Sequence, residues 1–258
     1  MEPGGRYDAP MCNRYTPPTE LDIERLWHIG ARNQPKWWKP VIAPLVHGPY
    51  IKPGGELEVG QWGMIPPRSK THIPTTADGR RMSTNNARTE RVASAWTYAG
   101  TWKAGQRCLI PAQSFVEPYW GYQKKNIWWQ FARANCLPWA LAGIWSEWPD
   151  PATGEVVPSY SMLTQNCAAH PLLKLMHKPE LDPKTKLPLA EQDKRAVVPI
   201  EQGDWDAWLH GTVEQARTLI QLPALELFAH GPEDPATRVQ LDLVTGQAVV
   251  QGESGELF

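Results

Sequence analysis

Asn126-Ile127-Trp128-Trp129-Gln130-Phe131-Ala132 and, a short gap later, Trp139-Ala140-Leu141-Ala142-Gly143-Ile144-Trp145 are the stretches that decide the fold. Both are dense in apolar and aromatic residues and read as strands. Upstream, Cys108-Leu109-Ile110-Pro111 and Ser114-Phe115-Val116 read as strand pieces, and residues 56–62 alternate as another strand. Downstream, residues 159–164 form one more. A short strand is expected at Val41-Ile42-Ala43, inside a Pro-rich loop over residues 35–55. Helices are expected over residues 19–30, where Thr19 suits the N-cap, within residues 90–102, around Trp205 and Trp208, and within residues 211–222. Residues 66–81 read as a polar basic loop and residues 172–177 as a short helical or coil segment. Near the end, Val239-Gln240-Leu241-Asp242-Leu243, Thr245-Gly246 and Ala248-Val249-Val250 carry a hairpin signal. Many short strands with interspersed helices predict an α+β fold with a largely antiparallel sheet.

At 258 residues the chain has ample length for a core, as one large domain or two small ones. No apolar run approaches bilayer length and no secretory signal opens the chain, which predicts a cytoplasmic protein. The cysteines, Cys12, Cys108, Cys136 and Cys167, form no CxxC pair and no zinc pattern, so reduced thiols are expected. Residues 1–133 hold 18 Lys+Arg against 10 Asp+Glu, and residues 134–258 hold 8 against 17. The basic half points to a polyanion-facing surface unless the fold intermixes the halves. Trp37-Trp38 and Trp128-Trp129 are adjacent pairs. Neighbours on a strand face opposite ways, so one of each pair is expected at the surface, where it could stack a nucleobase.

Met11-Cys12-Asn13-Arg14-Tyr15 reads like the beginning of a protein, yet ten residues precede it. Pro3, Gly4 and Gly5 interrupt those ten, which show no apolar periodicity and read as a leader, absent or removed in the active form. With the leader and Met11 gone, Cys12 carries a free amine and a thiol on adjacent carbons. That pair condenses with aldehydes to a five-membered ring.

Four further groups stand out: Asn86-Ala87-Arg88-Thr89-Glu90, Phe115-Val116-Glu117, His177 after Leu175-Met176, and Gln61-Trp62-Gly63-Met64-Ile65-Pro66. Together with Met11-Cys12 they resemble, in order, the SRAP (SOS response-associated peptidase) family. Family members open with Met-Cys-Gly-Arg-Phe/Tyr and carry Trp-Gly-x-x-Pro, matched by Trp62 and Pro66, and Asn-Ala-Arg-x-Glu, matched in full by residues 86–90. They follow an Arg-Cys strand, here Arg107-Cys108, with Gly-Phe-Tyr-Glu-Trp, here Ser114-Phe115-Val116-Glu117-Pro118, and then Ala-Gly-Leu-Trp, here Ala142-Gly143-Ile144-Trp145. Their last core motif holds a catalytic His. This chain departs at Asn13, at Pro118 and at Pro67-Arg68, where aromatics are missing and Arg68, Tyr119 and Trp120 are placed to substitute. After His177 it runs Lys178-Pro179-Glu180, as though a loop were inserted, and His170 is the alternative to His177.

The resemblance implies a barrel-like β core with peripheral helices, a single domain over residues 11–225, and a C-terminal hairpin and acidic tail over residues 226–258. It implies recognition of abasic sites in single-stranded DNA and a thiazolidine cross-link through Cys12, by a monomer at the nucleoid. The residues agree with that chemistry. An α-amine has a pKa of ~7.7–8.0, so a useful fraction is neutral at physiological pH. It can form a Schiff base with the opened sugar, and the thiol then closes the ring. Glu117 is the expected general acid/base, with its pKa raised by burial, and His177 the second proton-transfer group. Asn86 would hydrogen-bond the Cys12 backbone. Arg14, Arg88 and Arg68 would hold phosphates, and Trp62 joins the DNA-binding set by the family match, although its neighbours lean toward core packing. No metal or organic cofactor is implied.

Taken singly, each residue has a plainer reading: a buried thiol, a surface carboxylate, a structural His, a turn Asn and a salt-bridged Arg. Two other functions compete. One is a cysteine-type, self-processing peptidase using Cys12 with His177, and the other a non-catalytic single-strand binder.

Overall fold

The computed structural model describes residues 12–29, 38–122 and 125–250. Its strands are β1 (Tyr15–Thr16), β2 (His47–Lys52), β3 (Glu56–Trp62), β4 (Asn86–Arg88), β5 (Arg107–Ala112), β6 (Ser114–Tyr122), β7 (Lys125–Arg133), β8 (Trp139–Pro149), β9 (Val156–Asn166), β10 (Arg195–Val197), β11 (Phe228–Pro232), β12 (Val239–Leu241) and β13 (Ala248–Val250). The α-helices are α1 (Glu20–Trp27), α2 (Ala99–Lys103), α3 (Trp205–His210) and α4 (Val213–Thr218).

Five strands close a barrel in the order β3-β2-β5-β8-β9, with β9 returning to β3. Every pairing in the ring is antiparallel except the parallel β3–β9 step. Strands β4 and β10 add to β9, β4 parallel and β10 antiparallel. A second sheet runs β1-β6-β7-β11. Only Gln113 separates β5 from β6, so the chain steps directly from barrel to sheet.

One core fills the space between the two layers, with Tyr15, Phe115 and Phe131 from the sheet meeting Trp62, Trp139 and Tyr160 from the barrel. A second core packs the helices outside the barrel through Ile23, Trp102, Trp208 and Ala216. Trp208 donates its indole N–H to Cys108 O at 2.9 Å. Buried Arg107 donates to Trp208 O and Gly211 O, pairing a cation with the carbonyl end of α3.

Thr19 caps α1 by accepting from Asp22 N–H, and the expected β12–β13 hairpin forms. The loop expected over residues 35–55 instead contains β2, and Ile42 contributes only an isolated bridge to Tyr15. Gly48 and Pro49 hide β2 in the sequence. A Cβ at Gly48 would collide with the Tyr15 and Tyr160 hydroxyls, which lie 2.5 Å apart above it. Residues 89–98 make successive turns, and only α2 is helical in the expected 90–102 segment. Residues 172–177 contain a single 3-10 turn, Leu173–Leu175. Beyond residue 225, β11 pairs with β7 in the second sheet.

The two halves of opposite charge are intermixed. Arg14 pairs with Glu233, Arg88 with Asp193, Arg133 with Glu201 and Lys52 with Glu147. Of the tryptophan pairs, Trp129 is buried while Trp128 is 43% exposed. Trp37 and the expected leader lie outside the described residues.

Candidate active site

The site is assembled at the seam between the sheet and the barrel. On β6, Phe115, Glu117 and Tyr119 alternate onto one face. Phe115 and Tyr119 belong to the core, so Glu117 is drawn in with them and is 2% exposed. Strand β1 pairs with the start of β6, with Val116 N–H donating to Arg14 O at 3.2 Å, which sets Cys12 beside Glu117. Asn86, at the start of β4, donates Nδ2 to Cys12 O at 2.8 Å. Asn85 Nδ2 reaches the same carbonyl at 3.4 Å and Asn13 Oδ1 at 3.2 Å.

His177 arrives from the opposite side. Met176 bridges Tyr119, and His177 N–H donates to Pro118 O at 2.7 Å. This register sets His177 Nε2 3.4 Å from Glu117 Oε2 and 3.3 Å from Arg195 O. His177 adopts φ 63°, a left-handed conformation uncommon outside glycine. Buried Lys194 donates Nζ to Met176 O at 2.6 Å and to His177 O at 2.7 Å. Residues 178–193 therefore leave and re-enter the fold at one point, as an arm cross-bridged by Leu181 and Pro188.

Burial pushes the Glu117 carboxyl well above its usual range, offset in part by the Cys12 thiol beside it. Burial and then Glu117 raise the Cys12 thiol well above its own. Burial thus disfavours the ionised form of both the carboxyl and the thiol. Neither Glu117 oxygen nor Asn86 Oδ1 finds a hydrogen-bond donor among the described residues. Each such buried acceptor costs ~1–3 kcal/mol. Three clustered around Cys12 mark a place built for something other than stability.

Of the two histidines, His170 is structural. Its Nδ1 accepts from Leu172 N–H at 3.2 Å and Leu173 N–H at 3.1 Å, and its Nε2 lies 3.0 Å from Pro223 O. Trp62 is fully buried, edge-on to Tyr15 at 5.2 Å, with its indole N–H on Asn85 O at 2.9 Å. It has no face to offer a base, so the family-based placement in the DNA-binding set gives way to core packing. Arg14 is ion-paired with Glu233 and lies over the Trp128 ring at 5.1 Å, and Arg88 sits 2.8 Å from Asp193. Arg68 is exposed on the loop before β4.

Three positioning residues escaped the sequence reading. Asn85 is legible only as a second amide next to Asn86. Lys194 and Arg195 follow the arm, and Arg195 grips both Glu90 and Asp193. The Glu of the Asn-Ala-Arg-x-Glu motif is thus a partner for a cation over a hundred residues away. A Lys-Arg pair before the apolar run Ala196-Val197-Val198 is the signal that could have found them. Among the described residues no His/Cys/Asp/Glu group could hold a metal ion, and no helix is long and apolar enough to cross a membrane.

The sequence profile of the SOS response associated peptidase (SRAP) family matches residues 11–232. The chain belongs to the SRAP family. The match ends with β11, in agreement with the place of that strand in the second sheet. A protein from Bordetella bronchiseptica of known crystal structure is 28% identical over 86% of this chain and 99% of its own, with a TM-score of 0.72. A protein from Bacteroides thetaiotaomicron is 16% identical over 88% of this chain and 94% of its own, with a TM-score of 0.68. A phage-related protein from Bordetella bronchiseptica, also 16% identical, covers 86% of this chain and 94% of its own at a TM-score of 0.57. The last two share the fold. No curated protein matches the chain in sequence. Membership of the SRAP family connects the chain to DNA and the SOS response.

Proposed function

We propose that this SRAP protein, in a form beginning at Cys12, captures abasic sites in single-stranded DNA as a thiazolidine. The observation that carries the reading is the placement of Cys12. Its carbonyl is held by Asn86 and Asn85, and its thiol lies against Glu117, a carboxyl that burial biases toward its neutral form, backed by His177. Held at the carbonyl, the residue presents its amine and thiol together.

The chemistry balances without an oxidant. As the sugar opens to its aldehyde, Glu117 in its acid form gives a proton to the ring oxygen and the carboxylate takes back the proton released by the C1′ hydroxyl. The Cys12 amine attacks C1′ and water leaves, giving an imine. The thiol adds to the same carbon, and its proton ends on the ring nitrogen, with Glu117 as the carrier and His177 as the second proton-transfer group. Asn86 Oδ1, which lacks a donor among the described residues, can accept from that nitrogen. The product is heavier than the protein by the DNA minus one water. The reading places the activity in the cytosol, in a monomer.

The peptidase reading asks for a thiolate paired with an imidazolium, hence a lowered thiol pKa. Here the thiol is raised and a carboxyl lies beside it, which weighs against that chemistry. The deciding experiment incubates a chain verified to begin at Cys12 with a single strand carrying one abasic site. A heat-stable adduct, lost in Cys12→Ala, is expected. Salt-dependent binding with no adduct would leave a passive binder in its place.

A further inference from the structure

Two clefts meet at Met82. One, of about 390 Å³, is lined by Asn13, Asn85 and Arg81, and so begins at the residues around the Cys12 carbonyl. The other, of about 580 Å³, is lined by Arg68, Lys70 and Trp96. Met82 lines both, so the two clefts are neighbours on the side of Asn13 and Asn85. Trp96 is 60% exposed, more than Trp128 at 43%, and Trp128 is covered by Arg14. Arg68, Lys70 and Arg81 carry no ion pair among the described residues, whereas Arg80 next to them is paired with Asp78. Arg14 and Arg88 are also paired. The second cleft therefore sets two cations without an ion pair among the described residues, Arg68 and Lys70, beside an exposed indole.

We infer that the second cleft is a nucleotide subsite, in which Trp96 stacks a base of the single strand while Arg68 and Lys70 hold its phosphates, away from the residue held at Cys12. The inference rests on the lesion-capture reading for its orientation along the strand. A stacked base and a cationic groove are the two elements of sequence-tolerant single-strand binding. The occupant is single-stranded DNA, because a paired base has no free face for Trp96.

The test uses the full chain with undamaged single strands of increasing length, and the chain beginning at Cys12 with strands carrying one abasic site. Trp96→Ala should weaken binding to a long undamaged strand about tenfold, and Trp96→Phe should restore most of it. The salt dependence should stay as in the wild type for Trp96→Ala and become shallower by ~0.7 for Arg68→Ala or Lys70→Ala. The Trp96→Ala deficit should vanish on strands too short to reach the cleft. Wild-type affinity in Trp96→Ala on long strands would overturn the subsite and leave lesion capture intact. A tenfold loss with no adduct from any variant would keep the subsite and retire lesion capture.

Discussion

Glu117 Oε2 lies 3.4 Å from His177 Nε2, and the backbone ties His177 to the next residue of the same strand through the 2.7 Å bond from His177 N–H to Pro118 O. Side chain and main chain thus fix one geometry twice. An imidazole and a carboxyl are thereby kept at one separation by both.

The first consequence is a pH-dependent stability. Burial raises the Glu117 pKa above its ordinary value near 4.5, so the folded chain keeps a proton that the unfolded chain releases. The stability tied to this group is full below the unfolded pKa, falls as pH rises toward the folded pKa, and stays low above it. Glu117→Gln cannot ionise. It should raise Tm at pH 7 by roughly 2–8 °C and by much less at pH 4. Adduct formation should drop about a hundredfold. Equal Tm gains at both pH values would rule out a buried acid.

His170 and His177 should separate by phenotype. His170→Ala leaves two backbone N–H groups without an acceptor and should cost ~1–3 kcal/mol, with little change in adduct rate. His177→Ala should slow the reaction and flatten its pH profile. Denaturant melts and single-turnover rates, measured together, distinguish the two.

Asn86→Ala removes the 2.8 Å bond to Cys12 O and leaves the weaker 3.4 Å bond from Asn85. The adduct rate should fall roughly fivefold, for the loss of about 1 kcal/mol of positioning. Asn85→Ala should do less. A larger effect from Asn85 would reverse the assignment of the main anchor.

Arg14 is held by Glu233 in a part-exposed pair, an interaction worth ~0–1 kcal/mol. If it swaps this partner for a DNA phosphate, Glu233→Gln should tighten single-strand binding about threefold at low salt. The gain should disappear in the double variant with Arg14→Ala. Unchanged affinity in Glu233→Gln would leave Arg14 a structural residue.

Strand β3 and the β12–β13 hairpin were legible because alternation and a turn dipeptide dictate them locally. Strand β2 was not, since Gly48 is there for tyrosine hydroxyls that other strands bring to it. The helix expected within residues 90–102 is confined to α2 at its end, because the apolar residues of the turns before it serve a core rather than a helical stripe. At the site, Cys12, Asn86, Glu117 and His177 were found as an ordered set of motifs. Their convergence was invisible in any one segment, because it depends on β1 pairing with β6 and on β4 lying along β9. The roles of Lys194 and Glu90 depend on a partner distant in sequence, which no local pattern encodes.

Lys194 acts as a clasp on residues 178–193, since its ammonium holds the two carbonyls from which that arm departs. Closing a loop costs only about 0.6 kcal/mol more for each doubling of its length. The imidazole is therefore insulated from whatever the arm becomes. Its tip, around Lys184, is a place where lineages can lengthen or shed residues, and where an engineer can splice in an affinity peptide or a fluorophore. The contact between His177 and Glu117 a few residues away would not register the change.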